Sequence, residues 1–125
     1  MINLAKLIMA LVGLFSLAMG LMAWVSPAEI GKIIGLSGDT ALGLHSLRGD
    51  IGAVFLGSAV GCMIALFKGK AAGLKLPIII YGLVLLGRLL SLVLTGSGPG
   101  VMQPIIIEIV LVGASVFAYK TLKNA

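Results

Sequence analysis

LPIIIYGLVLLGRLLSLVL, TGSGPG and VMQPIIIEIVLVGASVFAY follow one another at residues 76–94, 95–100 and 101–119. Two long apolar runs flank an uncharged, glycine-rich turn, and each run carries one charge, Arg88 in the first and Glu108 in the second. A helix rises about 1.5 Å per residue, so about 20 such residues cross a hydrocarbon core of roughly 30 Å. Pro77 falls in the first turn of its helix, where a missing N–H is tolerated. The turn is too short to let the two helices be anything but antiparallel neighbours.

Working outward, the same signature recurs twice. Leu7 to Val25 is an apolar run closed by Trp24 and Ser26-Pro27, and it predicts a helix over about 4–25. Its Lys6 flank and Ala-rich end resemble a signal peptide, but the apolar stretch is too long for one, so it is read as a span. A fourth helix is predicted over about 40–67, opened by Thr40 as N-cap. The composition agrees: of 125 residues, 60% are apolar and 10% charged, against about 45–50% and about 25% in a soluble domain. Four spans use about 80 positions, which leaves no room for a soluble catalytic domain, a nucleotide-binding fold or a long tail. The predicted fold is all-α, a single-domain integral membrane four-helix bundle over residues 1–125.

Between the first two spans, Ser26-Pro27-Ala28-Glu29 reads as a capping box with Pro at the first helical position. It opens a short helix ending near Gly35, with Ile30, Ile33 and Ile34 on one face, which predicts a segment lying on the outer surface of the membrane. Two stripes of small residues follow the helical repeat. Gly13, Ser16 and Gly20 lead to Trp24 on the first span, and Gly49, Ala53, Gly57, Gly61 and Ala65 recur every fourth position on the second. Such stripes let helix backbones approach closely where water cannot drive association. The second stripe and the small size together predict a homo-oligomer, with the stripe's partner left open between this chain and a second copy.

The formal net charge is +5, and its placement matters more than its sign. Lys6, Lys68, Lys70, Lys75, Lys120 and Lys123 fall on one side of a four-span arrangement, while Glu29, Lys32 and Asp39 fall on the other. Both termini are therefore expected in the cytoplasm, and nucleic acid is not an expected partner; membrane lipid is. Cys62 stands alone inside a span, so no disulfide or paired-cysteine site is available within the chain, and it reads as core packing.

Arg48, Asp50, Arg88 and Glu108 interrupt the spans. A charge facing lipid at mid-helix costs about 2.5–3.5 kcal/mol on insertion scales, so these four should face the bundle interior or water. Arg88 lies about 18 Å along its helix from Leu76 and Glu108 about 16 Å from Tyr119, which matches them in depth and makes them a pair. Arg48 and Asp50 lie roughly 25–28 Å from Phe67, near the outer boundary. Tyr81, Arg88, Ser91 and Thr95 share one helical face, as do Glu108, Ser115 and Tyr119, and both faces are expected to point inward. With His45 and Gln103, the set Arg48, Asp50, Arg88, Ser91 and Glu108 describes an outward-opening pocket. It would bind, or carry across, a small polar, anionic or lipid-like ligand, with Arg48 completing an electropositive upper rim. The alternative is a non-catalytic structural or accessory subunit whose buried charges only fix helix order. A proton-linked role for Glu108 also stays open. His45 is the only histidine, so a multi-histidine metal site and bis-histidine haem ligation are not available within one chain. No catalytic set and no cofactor are predicted, and the reading leans away from an enzyme.

Several of these pieces together resemble a known family: the Trp24 to Pro27 exit, the turn at Leu36, Arg48-Gly49-Asp50-Ile51-Gly52 with Gly57 following, Gly87-Arg88-Leu89-Leu90-Ser91, the Gly96 and Pro99 turn, and Glu108. Over nearly its whole length the chain resembles the bacterial family called domain of unknown function 4345, small four-span membrane proteins. The resemblance implies a multi-pass protein of a bacterial inner membrane and supplies no activity. A more distant similarity to DoxX-type four-helix membrane proteins would imply an accessory subunit of a membrane redox system, by fold analogy.

Overall fold

In the computed structural model, which describes residues 1–124, four long helices cross the molecule and one short helix lies over one end. We label them α1 (Ile2–Val25), α2 (Pro27–Ile34), α3 (Ala41–Phe67), α4 (Lys75–Leu94) and α5 (Met102–Lys123). All four long helices have the length and hydropathy to cross a membrane. Each long helix packs against the next in the ring α1, α3, α4, α5 and back to α1. The antiparallel order collects the six lysines named above at one end, the lysine end, and leaves α2 and the Thr95 to Gly100 connection at the other.

α1 begins before the apolar run, at Ile2, because nothing in the first residues breaks a helix. Its buried residues, Ala5, Met9, Val12, Gly13, Ser16, Gly20 and Ala23, form one stripe of mostly small side chains. The stripe receives α3: a Cβ on Gly13 would stand 3.0 Å from the Cys62 Cβ, and one on Gly20 would strike the Leu56 side chain. Cys62 is buried in this core, with Met9, Ala65, Leu74, Tyr81 and Ala118.

The capping box expected at Ser26 is not made. Ser26 precedes Pro27 as N-cap but gives no side-chain cap; Glu29 turns instead to Lys32, one turn on, at 3.2 Å. The helix still forms because Pro27 presets its first turn and Gly35, at φ 79°, supplies the left-handed stop. Ile30 is fully buried with Ala23 and Leu47, Ile34 is half-buried and Ile33 is exposed. Thr40 does cap α3, its hydroxyl accepting from the Gly43 N–H at 3.0 Å.

α3 departs from a regular helix at Leu47–Ile51, a π-helical turn. Residues five apart lie about 140° around a regular helix, yet Leu47 and Gly52 both face α1. Leu47 is buried with Ala23, and Gly52 lies under the Trp24 indole, which a Cβ would strike at 2.7 Å. One wider turn, closed i to i+5, brings the two onto one face. The same turn breaks the expected small-residue stripe. Gly49 and Ala53 are exposed, while Gly57 meets Ile80 and Gly61 meets the Gly73 backbone, Leu76 and Pro77. The Gly57 and Gly61 half of the stripe is thus used within the chain.

α4 follows a 3₁₀ turn at Ala71–Leu74, in the connection between the spans predicted over about 40–67 and 76–94. Only Pro77 and Tyr81 of α4 are buried, so beyond its first two turns the helix stands off from the bundle. α5 by contrast buries Ile105, Glu108, Leu111, Ser115 and Ala118 at helical spacing along most of its length. It runs past the expected end to Lys123, and Tyr119 sits half-buried between Lys75 and Lys123, whose Nζ atoms lie 6.0 and 5.6 Å from its ring.

Candidate functional site

The gap left by α4 is a cavity. It measures about 260 Å³ and has walls from all five helices: Phe15 and Met19 of α1, Ile33 and Ile34 of α2, Ile51, Val54 and Phe55 of α3, Tyr81, Val84 and Arg88 of α4, and Gln103, Pro104, Ile107, Glu108 and Leu111 of α5. Most of this wall is apolar. The Phe15, Phe55 and Tyr81 rings run along it in sequence, with centroids 6.2 Å apart for each neighbouring pair and inclined to one another.

Arg88 and Glu108 meet at this cavity. The Arg88 Nε donates to Glu108 Oε1 at 2.8 Å, the depth-matched pair the sequence predicts. The partners are unequally buried: the Arg88 side chain is 33% exposed and that of Glu108 10%. Glu108 Oε2 is buried with no hydrogen-bond partner. One carboxylate oxygen is therefore committed, and the other is enclosed without a partner. Two turns further along α5, the Ser115 hydroxyl is also buried and unpartnered, whereas Ser16 and Tyr81 satisfy each other at 2.5 Å.

Arg88 also borders a second, more polar cleft of about 420 Å³ between α2 and the α4–α5 connection, with Lys32, Ser91 and Pro99. Ile33, Ile34, Arg88, Gly100 and Pro104 are common to both spaces, so Arg88 stands at the boundary between them.

The other expected site residues separate. Gln103 borders the cavity and Ser91 the cleft, both on exposed positions. Arg48 does not reach either. It is exposed at the π turn, and its Nε donates to the Trp24 carbonyl oxygen at 2.9 Å, so it caps the end of α1 rather than completing an electropositive rim. Asp50 is exposed beside a separate hollow of about 190 Å³ with Leu36 and Ser37, and His45 is exposed on the second turn of α3. The π turn explains this displacement, since it rotates everything ahead of Gly52 relative to the spacing a regular helix gives. Ser91 and Thr95 are exposed too, because α4 has left the bundle by their level. Sequence reasoning missed Phe15, Phe55, Val84 and Lys32. The first three carry no signal beyond apolar periodicity; Lys32 comes in only because α2 folds over the cavity mouth. Among the described residues, no three His, Cys, Asp or Glu side chains gather as a metal site would require.

Four apolar spanning helices around a cavity with one ion pair define a multi-pass membrane protein. The chain belongs to the family described as domain of unknown function (DUF4345), whose sequence model matches residues 4–119. No curated protein and no solved structure matches it.

Proposed function

We propose that the cavity binds a small, lipid-like amphipathic molecule, its polar group against the Arg88–Glu108 pair and its apolar part along α1, α3 and α4. The observation that carries this reading is the Arg88–Glu108 pair on the wall of a largely apolar cavity, with Arg88 one-third exposed and bonded to Glu108 through Nε alone. The Nη groups of Arg88 keep four N–H donors for the polar end of a ligand. Binding is favoured over passage. Toward the lysine end the helices close on Met9, Ala65, Leu74 and Ala118, all buried, and Gly61 lies against Gly73. The lysines at that end support an orientation with it, and both termini, on the cytoplasmic side of an inner membrane and the cavity mouth outward. Reporter fusions after Lys70 and after Gly98 test the orientation: a cytoplasmic signal only at the first is expected, and the reverse overturns it.

Native mass spectrometry of the protein released from lipid nanodiscs tests the binding. The parent should retain one amphiphile per chain, and Val84→Trp, which fills the cavity without touching either charge, should lose it. Equal retention by both, or none by the parent, overturns the reading. The pair would then serve only to hold α4 to α5, as in an accessory subunit.

A further inference from the structure

The polar cleft beyond Arg88 narrows the ligand's head group, an inference that rests on the binding reading above. We infer that the ligand is a single-chain anionic amphiphile, its oxyanion head in the cleft between Arg88 and Lys32 and its chain in the cavity. The two spaces meet where Ile33, Ile34, Arg88, Gly100 and Pro104 border both. Among the described residues, the charged side chains on the cleft wall are Lys32 and Arg88, with no acid beside them. Over both walls together, Arg88, Lys32 and Glu108 sum to one net positive charge, which a singly charged anion neutralises. Tyr81, Ser91 and Gln103, the other polar side chains on these walls, are neutral and leave that sum unchanged.

Donors on both sides of the cleft suit such a head. Arg88 holds Glu108 through Nε alone, which leaves the edge between its two Nη groups as a fork for a pair of oxyanion oxygens. Lys32 is paired with Glu29, which borders neither space, and both side chains are exposed. Exposed pairs of this kind contribute little, so the ammonium can turn to a head that Arg88 also holds. The cavity sets the chain. An apolar cavity of about 150 Å³ accepts benzene. At about 260 Å³ this one takes roughly ten carbons in proportion, enough for one chain and too few for two.

The test compares decyl sulfate with 1-decanol as saturable binding to protein in phosphatidylcholine nanodiscs, corrected for protein-free nanodiscs. The two share a chain, and only the sulfate is charged. Charge-assisted bonds to two cations should make the parent bind the sulfate at least about tenfold more tightly. Lys32→Glu reverses one of these cations at an exposed position, so the preference should fall to about threefold or less. Arg48→Glu makes the same charge change at the same end but outside both spaces, and should keep the preference. Inorganic sulfate, a head without a chain, should fail to displace decyl sulfate even in large excess. A parent that binds both probes within threefold overturns the anionic head and leaves the cavity reading standing. Persistence of the tenfold preference in Lys32→Glu, or an equal loss in Arg48→Glu, overturns it as well. Displacement by inorganic sulfate would make the cleft an anion site on its own and overturn the placement of the chain. Saturable binding of neither probe sinks both readings.

Discussion

Gly61 and Gly87 lie on neighbouring helices of one bundle, yet a Cβ on Gly61 would run into the Gly73 carbonyl, and one on Gly87 would meet nothing within 4 Å. The first belongs to the lysine end, where backbones touch. The second belongs to the α2 end, where α4 stands off, a cavity opens and the charges lie. Both ends are built from the same apolar alphabet. What separates them is where small residues coincide on facing helices, because in lipid the helices are held by van der Waals contact and polar pairing rather than by exclusion of water. One end uses the first means; the other relies on the second.

If the Arg88–Glu108 pair is what holds the open end together, its removal should be the most damaging change, and the two partners should not be equivalent. Arg88→Leu leaves a nine-tenths-buried carboxylate alone and should cost about 3–5 kcal/mol. Glu108→Leu leaves a guanidinium that is one-third exposed and borders the polar cleft, so it should cost clearly less. The double variant should recover most of the loss. Unfolding of the three variants in detergent, scored against the parent, checks the order. Equal single losses would mean that the two charges are equally buried, and the boundary position assigned to Arg88 would be wrong.

This pair was legible in the sequence because depth along an antiparallel helical hairpin needs only the rise per residue and a short turn. The four spans, the α2 helix and the lysine face were legible for the same reason: each depends on local pattern. The positions of Arg48, Asp50 and His45 were not. They precede Gly52, and their facing depends on a π turn that Leu47 and Gly52 require jointly in order to meet α1. Such a demand is made by two contacts distant in sequence and leaves no local mark. The outward lean of α4 was hidden likewise, since Ser91 and Thr95 continue a polar stripe from Tyr81 that the packing no longer follows.

The glycines give the next contrast. Gly61→Ala puts a methyl group against the Gly73 carbonyl, Leu76 and Pro77, backbone and ring atoms that cannot swing away. Overpacking of this kind costs about 1–3 kcal/mol. Gly87→Ala has open space and gains helix propensity, about 0.5–1 kcal/mol in water, so its melting temperature should equal or exceed that of the parent. A loss at Gly87 comparable to that at Gly61 would show that a neighbour covers the outer part of α4, as a second copy would. Smaller still is Arg48→Leu. Its hydrogen bond to the Trp24 carbonyl carries a charge but lies exposed, so about 1 kcal/mol is expected, with no change in ligand retention. Reduced retention would return Arg48 to the pocket from which its geometry separates it.

The finest contrast is drawn by two buried serines. Ser16 and Ser115 are both buried, at 0% and 1% exposure, but Ser16 is hydrogen-bonded to the Tyr81 hydroxyl and Ser115 to nothing. Ser16→Ala removes the hydroxyl paired with Tyr81 and should cost about 1 kcal/mol, near the value typical of interhelical hydrogen bonds in membranes. Ser115→Ala removes a hydroxyl that already lacks a partner, so it should be neutral or slightly stabilising, since a desolvated polar group disappears and no bond is lost. Thermal melting of the two variants in the same nanodiscs reads the difference directly. A cost at Ser115 equal to that at Ser16 would require a partner for its hydroxyl, such as a buried water. Polar contacts would then extend from Glu108 toward the lysine end, and that end would no longer be the closed half of the bundle on which the preference for binding over passage depends.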